Sequence, residues 1–284
     1  MELKPVNKHI DDVTIEQIED HKLITQDELN KDLENLFGYD ASENRNNFFG
    51  NPFLYHFQFK NLIKCHREGG DTIYDIYNDK VKWDKLIDSA KKRNRGGRTA
   101  AGNVYECFRI NLGSVVMFKS TTAKYLYQKY NATSVLDPTA GWGGRMLGAW
   151  ALGIDYTGID TNTNMKSAYD DMIEMLNNKT PAIFEQPKLE MLWQSALDVD
   201  FSNIDYDFVL TSPPYVNLEI YEHMEPWESD EKFYIDFFIP LWQKCMDNIK
   251  PGGTICFNIS PKMYEDAVSF GLPVCEDEED LKQQ

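Results

Sequence analysis

The sequence predicts an α/β protein with a doubly wound parallel sheet. From about residue 115 onward, short apolar runs with strand propensity alternate with longer runs of helical periodicity. Glycine- or proline-rich turns follow two of the strands, at the sheet edge where open α/β folds bind ligands. The predicted strands are Ser134–Leu136, Tyr156–Ile159, Leu189–Leu192, Phe208–Leu210 and Gly253–Asn258, and the main helices between them are Ser120–Tyr130, Arg145–Leu152, Met165–Leu176 and Lys232–Ile249.

Residues 1–97 are predicted to form a mostly helical region, and residues 98–284 the sheet domain. Thr14-Ile-Glu-Gln17 has the pattern of a capping box. Residues 26–37 place leucines on one helical face, with Gly38 predicted as the C-cap. The aromatic residues of segment 53–65 are expected in the core or in an inter-domain seam, and Trp83–Ala90 as a further helix.

Composition indicates a globular chain in a reducing compartment. Of the 284 residues, 42% are hydrophobic, and no apolar run approaches the ~20 residues of a membrane span. The five cysteines form no Cys-x-x-Cys pair, so we predict free thiols, no metal site and a cytoplasmic location. The formal charge of −17 argues against binding of a polyanion by the whole surface.

The densest basic segment is Lys91-Lys-Arg-Asn-Arg-Gly-Gly-Arg98, with five positive charges in eight residues. Such runs are usually solvated surface. A glycine-hinged basic loop is also what contact with nucleic-acid phosphates needs. Both interpretations stay open, and the candidate phosphate-binding residues are Arg93, Arg95 and Arg98.

The loop Asp137-Pro-Thr-Ala-Gly141-Trp-Gly143-Gly144 joins a predicted strand to a predicted helix. This is the architecture of a nucleotide-type site, since glycine lets a ligand approach the backbone. Asp160 ends the next strand, 23 residues after Asp137, where such folds hold ribose hydroxyls. Met146 stands where a dinucleotide fingerprint has its third glycine, which weakens a nicotinamide interpretation.

A second polar segment, Thr211-Ser-Pro-Pro-Tyr215, follows the buried strand Phe208–Leu210. The prolines stop the strand, because proline has no N–H to donate. The Pro213 carbonyl and the Ser212 hydroxyl then offer two acceptors beside the flat ring of Tyr215. This set suits an aromatic heterocycle that bears an amino group, although a plain strand-terminating turn would look similar.

Together these segments resemble a known family, the S-adenosylmethionine-dependent methyltransferases that act on amino groups of DNA bases. The loop Asp137–Gly143 is similar to motif I, Asp160 to the acidic residue of motif II, and Thr211–Tyr215 to the catalytic motif IV. Residues 113–120 resemble motif X, and the resemblance covers about residues 98–260. The strings 140–149 and 212–221 look like a subgroup from phages and large viruses.

The resemblance implies a Rossmann-like sheet with S-adenosylmethionine as cofactor, and it assigns roles to the motif residues. Asp160 would bind the ribose hydroxyls and Thr161 would lie next to the adenine. Gln194-Ser195-Ala196 stands where the family often has an acidic residue for the adenine amine, and Asp198 is the alternative. The residues expected around the methionine and ribose are Phe118, Lys119, Asp137, Ala140, Gly141 and Gly143.

For the substrate, the resemblance implies that Ser212 and Pro213 accept hydrogen bonds from the target amine, and that Tyr215 stacks on a flipped base. Pro214 completes the motif. An aromatic amine is a poor nucleophile because its lone pair is delocalised. Two acceptors out of the ring plane favour a pyramidal nitrogen, so positioning carries most of the catalysis. Glu219, Tyr221 and Trp227 either line the pocket or pack beneath it.

Two departures from the family are expected. Only about 25 residues follow the fifth strand, whereas the family sheet normally ends with strands six and seven, so either the chain is a truncated piece or its sheet edge is built differently. No long insertion follows motif IV, so the N-terminal region or a partner chain would recognise the target. Three functions compete: methylation of adenine N6 or cytosine N4 in DNA, which is favoured; methylation of RNA or of a protein amide; and a non-catalytic subunit.

Overall fold

The computed structural model describes residues 9–42, 47–67, 69–93, 98–113, 115–179, 186–216, 219–220 and 226–275. Its strands are β1 His66–Arg67, β2 Ser134–Asp137, β3 Asp155–Asp160, β4 Leu189–Trp193, β5 Phe208–Thr211, β6 Glu219–Ile220 and β7 Thr254–Phe257. Five of them form a parallel sheet in the order β4-β3-β2-β5-β7, and β1 pairs with β6 in a separate antiparallel ribbon. The predicted doubly wound parallel sheet is confirmed.

The strand order reverses between β2 and β5. The chain runs outward from β2 through β3 to β4, then returns to place β5 on the other side of β2. Loops that leave two neighbouring strands in opposite directions open a crevice at the carboxyl ends, which is where such sheets bind ligands. The glycine loop follows β2 and the Ser-Pro-Pro-Tyr segment follows β5, so both predicted motifs begin at this crevice.

Helices cover the sheet and build the N-terminal region. They are α1 Ile15–Asp20, α2 Gln26–Gly38, α3 Asn51–Leu62, α4 Ile73–Asn78, α5 Lys80–Arg93, α6 Ala100–Phe108, α7 Ser120–Lys129, α8 Gly144–Trp150, α9 Lys166–Lys179, α10 Asp230–Phe233, α11 Ile239–Asn248 and α12 Pro261–Ser269. The capping box at Thr14 is confirmed, with Gln17 as its reciprocal partner. The prediction for Gly38 is wrong: Gly38 is the last residue of α2, and Tyr39 caps the helix in an extended conformation that needs no glycine.

The helix predicted over Lys232–Ile249 is divided by a π-helical segment, Tyr234–Phe238, that joins α10 to α11. Pro240 lies just after the start of α11 and has no N–H to donate to the preceding turn. Proline in a helix interior removes a hydrogen bond and clashes with the carbonyl four residues before it, which a locally widened turn relieves.

Apolar side chains fill both faces of the sheet. Val135 and Phe208 belong to a core that reaches from Ile10 in the N-terminal region to Leu210 in β5. Their neighbours Leu136 and Val209 point to a second core, which α11 covers from the other side. Successive strand residues face opposite sides, so every residue of β2 and β5 is buried. The aromatic segment predicted as core is confirmed at Phe53 and Phe59.

The division into domains at residue 97 stays a prediction. In the part of the chain that the structure describes, α12 follows β7 and no further strand is found. The acidic run 276–280 lies outside the described residues. Among the helices described, none is long and apolar enough to cross a membrane.

Candidate active site

A cavity of about 380 Å³ lies at the carboxyl ends of the strands, where the loops after β2, β3, β4 and β5 meet. Seven residues predicted from the sequence line it: Gly141, Asp160, Thr161, Ser195, Ala196, Ser212 and Pro214. The remaining lining residues are Pro138, Thr139, Trp142, Met165, Gln194, Leu197, Trp227 and Phe237. The structure therefore brings the glycine loop, the acidic residue of β3 and the Ser-Pro-Pro-Tyr segment around one space.

Hydrogen bonds fix the glycine loop to its neighbours. Gly141 has φ +58° and its N–H donates to the Asp160 carboxylate over 2.8 Å, while its carbonyl accepts from the Tyr169 hydroxyl over 2.8 Å. Gly143 has φ +88°, and a Cβ there would lie 2.7 Å from the methyl of Met172. Gly141 thus lines the cavity. At position 143 the turn and the close approach of Met172 both require a glycine.

Asp160 is half-buried at the end of β3 and lines the cavity. Its second carboxylate oxygen accepts the Asn162 N–H over 2.9 Å. Burial raises the pKa of Asp160, and the two backbone N–H groups of Asn162 and Gly141 oppose that rise. A carboxylate held in this way has lone pairs left to accept hydrogen bonds from neighbouring hydroxyls.

Asp137 is fully buried and makes its hydrogen bonds within the protein. One oxygen accepts from Arg145 Nε over 2.6 Å and from the Tyr156 hydroxyl over 2.7 Å; the other accepts from the Thr211 hydroxyl over 3.0 Å. Burial alone would lower the pKa of Arg145, but the Asp137 carboxylate outweighs it and raises that pKa above its ordinary value. Asp137 joins β2, β3, β5 and α8 beneath the cavity and is not part of its lining.

Three more predicted cofactor residues lie outside the lining. Ala140 is buried, and its N–H donates to the Ile159 carbonyl. Phe118 is buried with its ring 5.1 Å from the Arg145 guanidinium carbon, and the Nζ of buried Lys119 lies 4.6 Å from the centre of the Phe48 ring.

The basic candidates lie on the N-terminal region. Arg93 is exposed at the end of α5, and Arg98 lines a different cavity. Arg95 lies outside the described residues. Asp198, the alternative contact for an adenine amine, is exposed and does not line the cavity at the end of β4.

The Ser-Pro-Pro-Tyr segment is anchored by Asn258, which sequence reasoning did not select as a site residue. The Asn258 side-chain N–H₂ donates to Ser212 Oγ and to the Tyr215 hydroxyl, each over 3.0 Å. The Tyr215 hydroxyl in turn donates to the Asn258 carbonyl over 3.2 Å, and the Asn258 N–H donates to the Thr211 carbonyl over 2.8 Å. The signal for Asn258 available in the sequence was that it is a polar residue at the carboxyl end of the fifth predicted strand, which is β7 in the structure.

Aromatic residues close the other side of this segment. Tyr215 packs in one apolar cluster with Trp227 and Phe237, both of which line the cavity. Trp227 is therefore a lining residue. Pro213 is buried. Val216, directly after Tyr215, has φ +50°, a conformation that costs energy in a β-branched residue and clusters at functional sites. The side chain of Glu219, and all of Tyr221, lie outside what the structure describes.

The sequence comparison agrees with the motif assignment. Residues 206–280 match the family model of adenine-N6 and cytosine-N4 methyltransferases, described as DNA methylase. This segment runs from β5 through the Ser-Pro-Pro-Tyr residues to β7 and α12. The resemblance to these enzymes is thereby confirmed, while the phage and viral subgroup stays a prediction. No curated protein matches the chain.

Several solved structures are similar in part. TrmN from Thermus thermophilus is 15% identical over 52% of this chain and 40% of its own, with a TM-score of 0.38. An rRNA methylase from Streptococcus thermophilus is 11% identical over 52% and 80%, with a TM-score of 0.35. The glycopeptide N-methyltransferase MtfA complexed with S-adenosyl-L-methionine is 17% identical over 49% of each chain, with a TM-score of 0.32.

At such scores these likenesses do not identify a substrate. The evidence that this cavity is a methyltransferase site is the family match together with the grouping of the motifs around the cavity. Over residues 206–280 the chain bears the sequence signature of the adenine-N6 and cytosine-N4 DNA methylases, and with it that of an S-adenosylmethionine-dependent methyltransferase.

Proposed function

We propose that this chain transfers a methyl group from S-adenosylmethionine to the exocyclic amino group of a base in DNA, adenine N6 or cytosine N4. One observation carries the proposal: Gly141 and Asp160 line the same cavity as Ser212 and Pro214. A site for a nucleoside cofactor and a site for an aromatic amine thus adjoin. The family match, which covers the second of them, supports this assignment.

The residues at the β2 and β3 ends fit the cofactor. Gly141 adopts a positive φ and has no side chain, so a ligand can approach the backbone of the loop. The Asp160 carboxylate can accept hydrogen bonds from two ribose hydroxyls. Met165 and Leu197 add apolar lining for an adenine ring. The bound cofactor supplies a methyl group activated by a sulfonium. The protein then has to exclude water and hold the acceptor amine in line.

On the substrate side, Ser212 Oγ accepts hydrogen bonds from the target amine together with the Pro213 carbonyl. These contacts would favour a pyramidal nitrogen, whose lone pair can bond to the methyl carbon as the sulfur–methyl bond breaks, after which the nitrogen would lose one proton to solvent. Asn258 keeps Ser212 and Tyr215 in fixed relative positions, so the acceptor and the stacking ring meet the base as one preorganised unit. The base must be flipped out of a duplex to reach them.

Recognition of the DNA is assigned to the N-terminal region, where Arg93, Arg95 and Arg98 would contact phosphates, or to a partner chain.

The competing functions are a methyltransferase for RNA or a protein amide, and a non-catalytic subunit. Incubation with labelled cofactor and equal amounts of duplex DNA, RNA and a glutamine peptide separates them. We expect label in DNA. Label in RNA or in the peptide alone would show that DNA is not the substrate, and cofactor binding without any transfer would indicate a non-catalytic subunit.

Substitution of Asp160 by alanine is expected to weaken cofactor binding by about 1–3 kcal/mol, because a charged acceptor for the ribose is lost. Isothermal titration calorimetry with S-adenosylmethionine measures this. Asp155→Ala is the matched control, since Asp155 begins the same strand at the opposite edge and is exposed. Equal affinities for the two variants would remove Asp160 from the ribose site.

Substitution of Asn258 by leucine is expected to slow methyl transfer several-fold to tenfold while cofactor affinity stays nearly unchanged. Leucine roughly keeps the volume but has no N–H₂ to donate to Ser212 and Tyr215 and no side-chain oxygen to accept from them, and each lost hydrogen bond is worth ~0.5–1.5 kcal/mol. Ser212→Ala should show the same pattern, which single-turnover rates and calorimetry record together. A cofactor affinity that falls in parallel with the rate would show that the segment serves the cofactor instead.

A further inference from the structure

A second cavity, of about 400 Å³, lies in the N-terminal region between α1, α3 and α6. Its charged lining consists of Lys22, Arg98 and Arg109 with a single carboxylate, Glu106. In a chain with a formal charge of −17, a cavity with this excess of positive charge is unusual. Nothing in the proposed methyl-transfer chemistry uses it.

The carboxylate does not neutralise the three cations. Glu106 accepts two hydrogen bonds from Arg109, over 3.0 and 3.1 Å, and lies 3.3 Å from Arg98 Nη1. Lys22 has no ion pair among the described residues; its Nζ lies 4.9 Å from the centre of the Tyr55 ring. The two arginines share the Glu106 carboxylate, and the Lys22 ammonium lies over the Tyr55 ring. An additional anion would therefore be stabilised in this cavity.

The other groups that line the cavity add no negative charge to that of Glu106. Burial lowers the pKa of Lys22; Glu106 raises it, and Arg98 and Arg109 lower it again, as expected for a cation short of negative charge. The pKa of His21 is lowered to about 4, mainly by burial, so His21 lines the cavity as a neutral ring near pH 7. The first turn of α6, capped by Thr99, also lines it and contributes the partial positive charge of a helix N-terminus.

We propose that this cavity binds a phosphate group, held by Lys22, Arg98 and Arg109, and that the group is a backbone phosphodiester of the DNA substrate. Guanidinium and ammonium groups are the usual partners of phosphate oxygens. Assignment to DNA rests on the proposed function, whereas binding of phosphate does not. Arg98, predicted from the basic run, acts here with two residues distant from that run.

Neutralising the cavity tests the proposal. We expect Lys22→Gln and Arg109→Gln each to weaken the binding of inorganic phosphate about tenfold, measured by calorimetry. Each should also lower the slope of log affinity against log salt for a duplex oligonucleotide by about 0.9, the value for one phosphate contact. Lys250→Gln is the matched control, because Lys250 pairs with exposed Asp205 and does not line this cavity. Thermal denaturation establishes that the variants are folded.

The outcomes separate the two parts of the proposal. Weakened phosphate binding with an unchanged DNA salt slope would keep the phosphate site but overturn its assignment to DNA, leaving a small phosphorylated ligand. If neither variant differs from Lys250→Gln in either assay, the site is overturned. Neither readout uses methyl transfer, so a chain that binds phosphate here but methylates nothing would overturn the proposed function alone.

Discussion

Replacement of Asp137 by alanine is expected to lower the free energy of unfolding by about 3–5 kcal/mol, the cost of leaving a buried charge without its partner. Arg145 is 4% exposed and donates to Asp137 over 2.6 Å, and the hydroxyls of Tyr156 and Thr211 use the same carboxylate. The substitution therefore leaves a buried cation without its counter-ion and removes the shared acceptor of two buried hydroxyls. Urea denaturation of the whole chain measures the change.

Asp205→Ala is the control for this prediction. Asp205 is 81% exposed and pairs with Lys250, and exposed pairs contribute ~0–1 kcal/mol. Asp137→Asn, which keeps the shape and one acceptor oxygen, serves if the alanine variant does not fold. A loss of stability in Asp137→Asn no greater than that of Asp205→Ala would show that the buried network is not a principal support of the sheet.

Replacement of Tyr215 by alanine is expected to reduce kcat/KM for DNA about ten- to a hundredfold, because stacking of a base on an aromatic ring is worth ~1–3 kcal/mol. Tyr215→Phe should cost only a few-fold. The ring and its stacking face remain, and the hydroxyl that is lost forms hydrogen bonds to the side chain and the carbonyl of Asn258. Single-turnover rates of the two variants give the comparison.

Tyr206→Phe provides the control, since it removes a buried hydroxyl that donates to the Cys245 carbonyl, away from the cavity lining. We expect its transfer rate to equal that of the unmodified chain. If Tyr215→Phe is as damaging as Tyr215→Ala, the hydroxyl takes part in proton transfer and the stacking role is wrong.

The centre of the sheet was predictable because β2 and β5 are buried on both faces. Val135-Leu136 and Phe208–Leu210 are apolar at consecutive positions, and such runs followed by glycine or proline identify strand ends closely. Helix interruptions were less visible. The π-helical segment Tyr234–Phe238 lies just before Pro240 and relieves the clash of the proline ring with the preceding turn. The spacing of apolar residues does not show such a local widening of the helix.

The cavity was predictable only in part. Residues next to a strand end, such as Asp160 and Ser212, were found because parallel strands present their carboxyl ends at one edge. Asp137 was placed beside the cofactor, whereas its carboxylate binds Arg145 and two hydroxyls from other strands. Asn258 was missed for the same reason: pairing between side chains from distant segments requires the three-dimensional arrangement.

The most direct test of the account is mass spectrometry of nucleosides from duplex DNA incubated with the chain and isotopically labelled S-adenosylmethionine. We expect labelled N6-methyladenine or N4-methylcytosine, in strongly reduced amount with Tyr215→Ala and in unchanged amount with Tyr206→Phe. Label on a carbon of a base, or no labelled nucleoside from a chain that binds the cofactor, would contradict it.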